Sequence, residues 1–404
     1  MSAASLNKQT LTVGILSLIG VGLLAVIFYS SIWWVSLTAP NYPEESFPDG
    51  VRIEFHMNGV FNGCSLQKKT EIVEEEALDC VHEMDTINHY VGMYPIAAGG
   101  PLERGFGQFL MVFMMVMLIG FMCTKPRVRM LLMTTGFAVI AVWMYLAMFS
   151  DDGFSMQNEG YVQALITSLD QDASDTSGVS GASNDEPEIV IGGVTGVLKK
   201  SLEDSGVEVI LPSEAEKQKT KKRTKISGKE NMIEQLKVTY DIDQAKPGSN
   251  YDKWNGSSFQ VMSWHYEKSL ARYFNQPEQI KPMVKTLELA IQLAFWGLIA
   301  AMALLVFGAR KNGGFLYWLL ILVPMALPLF FIMDYSGWLW WYGHTLNDMG
   351  AFTVKPFMPT VFGQGKVAQF TTHSYPDAGF GIMMLLSFML AAAALIRRKQ
   401  FKEK

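Results

Sequence analysis

The chain carries at residues 11–37 the stretch LTVGILSLIGVGLLAVIFYSSIWWVSL, and this apolar run decides the fold class. A run of this length can span a bilayer core of roughly 30 Å with some tilt. It is longer than the apolar core of a signal peptide, and no small-residue cleavage site closes it. Trp33 and Trp34 lie near its end, where interfacial aromatic residues are typically found. The stretch therefore predicts an uncleaved membrane anchor over residues 1–37.

Similar apolar blocks recur along the chain. Of the 404 residues, 50% are hydrophobic and only 18% are charged, below the ~25% that is usual for soluble proteins. Further spans are predicted at 106–123, 130–150, 287–308, 315–333 and 378–396. The predicted fold is a membrane all-α bundle of six transmembrane helices with a small exported α+β or irregular domain built from loops. The net charge of −5 and the local placement of basic residues exclude a nucleic-acid-binding role.

Basic residues give the bundle an orientation. Lys125–Arg129, Arg310–Lys311 and Arg397–Lys399 follow the second, fourth and sixth spans, and short basic segments mark the cytoplasmic side. Both termini are therefore predicted to be cytoplasmic. The predicted partition is an anchor at 1–37, an exported loop at 38–105, a hairpin of spans at 106–150, an exported loop at 151–286 that is largely disordered in 165–250, a second hairpin at 287–333, an exported aromatic loop at 334–376, and a last span with a basic tail at 377–404.

Local patterns predict some structure in the exported loops. Residues 51–60 alternate as a strand would, with Val51, Ile53, Phe55 and Met57 on one face and His56 on the other. Residues 71–84 are compatible with a helix or with a strand and loop. Residues 259–274 form an amphipathic pattern expected to lie on the bilayer surface. The loops at 38–105 and 334–376 are expected to pack together, because the second supplies aromatic side chains that the first lacks.

The segment CVHEMDTINHYVGM at residues 80–93 concentrates potential metal ligands. Neutral imidazole, thioether and thiolate together are the set that Cu(I) prefers. The segment therefore predicts a copper site, with a second small cluster upstream. The candidate ligands are His82, Met84, His89 and Met93 in the segment, and His56 and Met57 upstream.

Two cysteines share the first exported loop. Cys64 and Cys80 are compatible with a structural disulfide in an oxidising compartment, with thiolate ligands for a metal, or with free thiols. A disulfide would leave His and Met as the metal ligands.

Other chemistry is less well indicated. His344 and His373 are interpreted either as distal ligands or as residues that anchor the aromatic loop by hydrogen bonds. The run of Trp338, Trp340 and Trp341 fits an interfacial belt or a quinol or lipid pocket. The sequence contains no P-loop, nucleophile elbow or HExxH motif, so a non-enzymatic role is favoured. Few ionisable residues occur in the predicted spans, which argues against an ion-coupled transporter.

Three motifs carry a resemblance to a known family. TINHYVGM at 86–93, YGHTLN at 342–347 and FTTHSYP at 370–376 resemble a poorly characterised family of bacterial multi-pass membrane proteins with an N-H-Y-x-G-M motif. That family is associated with copper-dependent respiratory systems such as nitrous oxide reduction. The matching parts cover about a quarter of the chain, and the middle of the second exported loop has no counterpart. The resemblance implies a bacterial inner (cytoplasmic) membrane location and a context of exported copper handling, and it carries over no catalytic residue.

Two functions are expected from these observations. The first is a membrane-anchored copper-binding or assembly factor that supplies or stabilises a copper-dependent respiratory enzyme. The alternative is a non-catalytic scaffold subunit of a membrane complex. The expected partners are membrane lipid and either a cuproenzyme or other membrane subunits.

Overall fold

The computed structural model describes residues 3–40, 47–63, 100–176, 228–271, 277–345, 358–367 and 369–402. The chain divides into two compact units. The larger unit contains residues 1–161 and 255–404, and the smaller one contains residues 162–254.

The described part of the chain is mostly helical. Its helices are α1 (Ala3–Tyr29), α2 (Pro101–Met122), α3 (Pro126–Phe149), α4 (Glu159–Thr176), α5 (Gly228–Ala245), α6 (Ser258–Ala271), α7 (Pro277–Gly308), α8 (Phe315–Met325), α9 (Leu327–Thr345) and α10 (Ala378–Lys402), with a 3-10 turn at Gly153–Met156. By length and composition, five of these helices can cross a membrane, and the number becomes six if the bent pair α8–α9 counts as one span. The predicted spans at 106–123, 130–150, 287–308 and 378–396 all fall on helices of this set.

The first span is shorter than predicted. Helix α1 ends at Tyr29, and the chain continues as strand β1 (Ser31–Thr38), so the anchor prediction over residues 11–37 is wrong at its C-terminal end. Trp33 and Trp34 therefore lie on a strand and not at the end of a helix. Burial along β1 comes in two adjacent pairs, Ile32–Trp33 and Val35–Ser36, and does not alternate strictly. Apolarity alone does not distinguish this strand from the helix before it.

Strand β1 is the centre of an antiparallel sheet. The other described strands are β2 (Val51–His56), β3 (Gly59–Asn62), β4 (Gly363–Val367) and β5 (Phe370–Pro376), and the order is β3-β2-β1-β5-β4. Val35 pairs with Ile53 of β2 on one side and with Ser374 of β5 on the other. The first and last thirds of the chain are thus joined through one strand.

The strand predicted at 51–60 is a hairpin. It is correctly predicted over β2, where Val51, Ile53 and Phe55 are buried. The chain then turns at Met57, which lies in the turn and not on the buried face. As expected, the loops at 38–105 and 334–376 pack together in their described parts. Their shared core is formed by Trp33, Val35, Phe47, Val51, Ile53, Phe55, Tyr335 and Leu339.

The predicted fifth span is broken. Helices α8 and α9 are bent by 63° around Ala326. Pro324 and Pro328 flank the bend, and a proline removes one intrahelical hydrogen bond and disturbs the preceding turn. Helix α9 continues to Thr345, so the beginning of the predicted aromatic loop at 334–376 is helical. The side of α9 that carries Tyr335 and Leu339 packs under the sheet.

The amphipathic segment at 259–274 forms helix α6 over its described part, as predicted. The described part of its apolar face packs inside the protein, however. Val261 and Trp264 are almost completely buried by the protein itself, so the surface-lying interpretation is wrong for these residues. Helix α6 packs against α7, α3 and α2. An amphipathic pattern indicates a buried face without indicating what buries it.

Two arginines donate hydrogen bonds to helix-end carbonyls at the end of the bundle opposite the sheet. Arg129 donates to the carbonyl oxygens of Ala309 (3.0 Å from Nε) and Cys123 (3.3 Å from Nη1). Arg397 donates through Nη2 to the carbonyls of Phe121 (3.2 Å) and Met122 (3.0 Å). These carbonyls lie at the C-terminal ends of α2 and α7, where helices leave acceptors unpaired and carry partial negative charge. Both arginines are almost completely buried.

The smaller unit contains α5 and most of α4. Tyr240 of α5 is buried against Trp254, with ring centroids 5.2 Å apart, and its hydroxyl donates to the carbonyl of Asp252 at 2.8 Å. The interval 165–250, predicted to be largely disordered, thus contains helical segments at both ends. Residues 177–227 lie outside the described residues.

Candidate functional site

Most of the predicted copper ligands lie outside the described residues. These are His82, Met84, His89 and Met93, together with Cys64 and Cys80. The segment 64–99 that contains them is joined to the described fold at Gly63 and Gly100. Gly63 donates its backbone N–H to the carbonyl of Arg52 at 2.9 Å. Among the described residues, no group of three or more His, Cys, Asp and Glu side chains is arranged to hold a metal ion.

The upstream candidates His56 and Met57 are described. The Nδ1 atom of His56 is 3.3 Å from the carbonyl oxygen of Tyr29, and Nε2 is 3.7 Å from Glu54 Oε2. The imidazole also packs edge-on against Phe61, with centroids 4.9 Å apart. Because both ring nitrogens face protein oxygens, His56 acts in this structure as a link between β2 and the end of α1. Met57 lies half-buried in the turn that follows.

The remaining described histidines also have protein partners. His373 Nε2 is 3.2 Å from Thr38 Oγ1, across the β1–β5 pair. His344 Nδ1 is 2.7 Å from the carbonyl of Trp340, one helical turn earlier in α9. His265 is buried in α6 with Nδ1 3.4 Å from Ser269 Oγ. The interpretation of His344 and His373 as hydrogen-bonding residues agrees with these contacts.

The described residues also line a cavity of about 610 Å³ between α7 and α9, which is open on the side of Thr286, Met333 and Gly337. One wall is α7, which contributes Met283, Thr286, Leu287 and Ala290. The facing wall is α9, which contributes Met333, Asp334, Gly337, Trp338 and Trp341. Pro101, Leu102 and Glu103 at the start of α2, with Tyr266 of α6, complete the lining. The cavity follows from the bend at Ala326, because α8 packs against α7 before the bend whereas α9 packs under the sheet after it.

Two carboxyl groups from different helices meet on the cavity wall. The carboxyls of Glu103 and Asp334 are neighbours on this wall, where Asp334 is exposed and Glu103 is half-buried. Two neighbouring carboxylates repel each other. Glu103 Oε1 also accepts a hydrogen bond from Trp338 Nε1 at 2.8 Å. Glu103 Oε2 is buried and receives no hydrogen bond from an amide, indole, hydroxyl or amine of the described residues. A Cβ atom at position 100 would collide with this oxygen and with the Trp338 ring, which explains Gly100.

Aromatic side chains line the same cavity as the carboxyl pair. Trp338 and Trp341 form an edge-on pair with centroids 5.4 Å apart. Burial, with a smaller effect from the charge of Glu103, raises the pKa of Tyr266 to about 12. Tyr266 therefore stays neutral and keeps its hydroxyl proton at physiological pH. No Lys, Arg or His is among the described residues that line the cavity.

The sequence reasoning missed this site. Asp334 was assigned to the start of an exported loop, whereas the structure places it inside α9, in the second half of a bent candidate span. An acidic residue within an apolar helix is a signal for a functional site, and the sequence FFIMDYSGW at 330–338 contains that signal. Glu103 gave no comparable indication, because it precedes the apolar part of α2.

Comparisons with known proteins give no relative: no family model matches the chain, and no curated protein or solved structure matches it significantly.

Proposed function

We propose that this chain is a membrane-anchored copper-binding or assembly factor, which acts on the exported face and supplies or stabilises a copper-dependent respiratory enzyme. The observation that carries the proposal is the ligand set of residues 80–93, with two imidazoles and two thioethers in one short segment. The resemblance to a family associated with copper-dependent respiration agrees with it.

His56, His265, His344 and His373 each have a hydrogen-bonding partner at one ring nitrogen. A hydrogen bond at one nitrogen leaves the other able to bind a metal, so these contacts do not remove His56 as a candidate ligand. The proposal rests mainly on His82 and His89 with Met84 and Met93, and His56 and Met57 stay the upstream candidates. Imidazole coordinates copper only as the neutral base, so affinity for the metal should fall as the pH drops below roughly 6.5.

Copper binding can be tested on the full chain purified in detergent. A Cu(I) chelator-competition titration at pH 7.5 should show saturable binding by the wild type. The double substitution His82→Ala/His89→Ala should weaken binding roughly tenfold or more, because each lost ligand is a direct metal bond. His344→Ala is the matched control, since that imidazole is exposed and bonds only within its own helix. Equal copper affinity in the double variant and the control would contradict the proposal and favour the scaffold alternative.

The exported location has its own test. Helix α1 begins and α10 ends at the same end of the bundle, where Gln400 Nε2 donates to Thr10 Oγ1 at 3.2 Å. The basic residues near Arg129 and Arg397 lie at this end too. We propose that this end is cytoplasmic and that the sheet is exported. A reporter enzyme that is active only after export should be silent when fused after Lys404 and active when inserted beside Thr360, and the reverse pattern would contradict the orientation.

A further inference from the structure

The cavity between α7 and α9 has no role in the proposed copper binding. Its walls are largely apolar, and its size lies within the range of pockets that hold small organic molecules, about 300–1,000 Å³. The only charged groups among the described lining residues are the carboxyls of Glu103 and Asp334. A metal ion would need neither this volume nor these apolar walls.

Among the described residues, the carboxyl pair has no cationic partner. Two neighbouring carboxylates repel each other, so a proton or a cation placed beside them is favoured. Glu103 Oε1 is occupied by the indole N–H of Trp338, whereas Oε2 is buried without a donor other than its neighbouring carboxyl. A ligand that brings its own N–H donors and a positive charge would satisfy both acids at once.

The aromatic walls favour the same kind of ligand. Trp338, Trp341 and Tyr266 line the same cavity as the two acids, with the indole N–H of Trp338 directed at Glu103, and aromatic ring faces attract cations. The remaining walls, with Met283, Leu287 and Ala290, suit a hydrocarbon or aryl body. Charge at one end and apolar surface at the other describe an amphiphilic organic cation.

From this geometry we infer that the cavity is a binding site for a primary amine with an apolar body. The ammonium group lies beside Glu103 and Asp334 on the cavity side and donates N–H hydrogen bonds to their oxygens. The body extends between α7 and α9. This inference is independent of copper binding, which concerns another segment of the chain.

One glycine supplies a direct test of occupancy. A Cβ atom at Gly337, on the α9 wall, would meet no atom within 4 Å, so a larger side chain can enter the cavity without a clash. Gly337→Leu therefore fills the space while leaving both acids in place. Gly297→Leu on α7 is the matched control, because position 297 is equally open but lies outside the cavity lining. Leu also raises helix propensity at both positions, so neither variant is expected to unfold.

Equilibrium dialysis of radiolabelled 3,3-diphenylpropylamine against the full chain in detergent at pH 7.5 measures its binding affinity. The wild type should bind it saturably. Glu103→Gln, Asp334→Asn and Gly337→Leu should each weaken binding roughly tenfold or more, as expected for the loss of a charge-assisted hydrogen bond or of the space itself. Gly297→Leu and Glu278→Gln, an exposed acid on α7 outside the lining, should bind like the wild type.

The neutral analogue 3,3-diphenylpropan-1-ol and the trimethylammonium derivative define the chemistry. Both should bind at least roughly tenfold more weakly than the primary amine, because the first lacks charge and the second lacks N–H donors. Three results would overturn the inference: no saturable binding by the wild type, unchanged affinity in Gly337→Leu, or equal affinity for the primary and quaternary amines. None of these results depends on whether the chain binds copper.

Discussion

Ser374 is the residue on which the junction between the sheet and the helices depends most. Its side chain is fully buried, and its Oγ accepts a hydrogen bond from Trp33 Nε1 at 2.8 Å and donates one to the carbonyl of Val361 at 2.8 Å. The hydroxyl of Tyr335 lies 3.2 Å from the same oxygen. One small side chain therefore links β1, β5 and the bent helix α9.

The substitution Ser374→Ala removes one oxygen and leaves these groups without their partner. A buried polar group without a hydrogen bond costs about 1–3 kcal/mol. The indole N–H of Trp33 and the hydroxyl of Tyr335 are both buried, so the free energy of unfolding should fall by about 2–4 kcal/mol. For a chain of 404 residues, that loss corresponds to a decrease in Tm of roughly 2–5 °C.

Thermal unfolding in detergent, followed by tryptophan fluorescence, measures the decrease. Thr372→Ala on the same strand is the matched control, because its side chain is only half-buried. A double-mutant cycle with Trp33→Phe isolates the indole–hydroxyl pair and should give a coupling energy of about 0.5–3 kcal/mol. The reasoning is refuted if Ser374→Ala and the control variant have the same Tm, or if the effects of the two substitutions in the cycle are additive.

Three further predictions compare the stability of a variant with that of a matched control or of the wild type. Arg397→Met should lower the free energy of unfolding by about 2–4 kcal/mol because helix-end carbonyls lose their donor, whereas Arg398→Met, which changes an exposed residue, should be nearly neutral in the same melt. Gly107→Ala would place a Cβ atom 2.8 Å from a backbone oxygen of the β2–β3 turn, so it should lower the free energy of unfolding by about 1–3 kcal/mol. Gly22→Ala, where a Cβ atom meets open space, should be neutral or stabilising. Equal melting temperatures for the two variants would show that α2 does not approach the turn this closely. The pKa of Tyr266 is raised to about 12 from an ordinary value near 10, so below pH 10 the residue has no effect on stability, and above it the unfolded chain releases a proton that the folded chain retains. Wild-type stability should therefore fall by about 1 kcal/mol more than that of Tyr266→Phe between pH 9 and pH 11, and parallel pH profiles would contradict the burial of this hydroxyl.

The sequence predicts those elements whose cause is local. The apolar runs in α2, α3, α7 and α10 are long and uninterrupted, so their helices follow from composition. In β2, the alternation of Val51, Ile53 and Phe55 with polar residues predicts which face is buried, and the structure confirms it. In each case, the pattern and the burial belong to the same short segment.

The elements that were missed depend on distant partners. Strand β1 is as apolar as α1, and what makes it a strand is pairing with β5, which begins at Phe370 near the other end of the chain. Val261 and Trp264 have the amphipathic spacing expected of a surface helix, but neighbouring helices bury them. The carboxyl contact requires Glu103 and Asp334 from two helices, and no local spacing relates residues so far apart. The copper segment lies outside the described residues, so its ligand set stays a prediction.

The central position of β1 has a consequence for how the protein is made. Trp33 and its hydrogen-bonding partner Ser374 are 341 residues apart, and a ribosome adds about 5–20 residues per second. Roughly 20–70 s therefore pass between the synthesis of β1 and that of β5, and one edge of β1 stays unpaired during this time. The other edge can pair with β2 soon after both strands are synthesised. During that interval the nascent chain exposes an unpaired strand edge, which other chains can bind. The same late pairing should let two separately produced fragments, divided before β4, reassemble through β1 and β5.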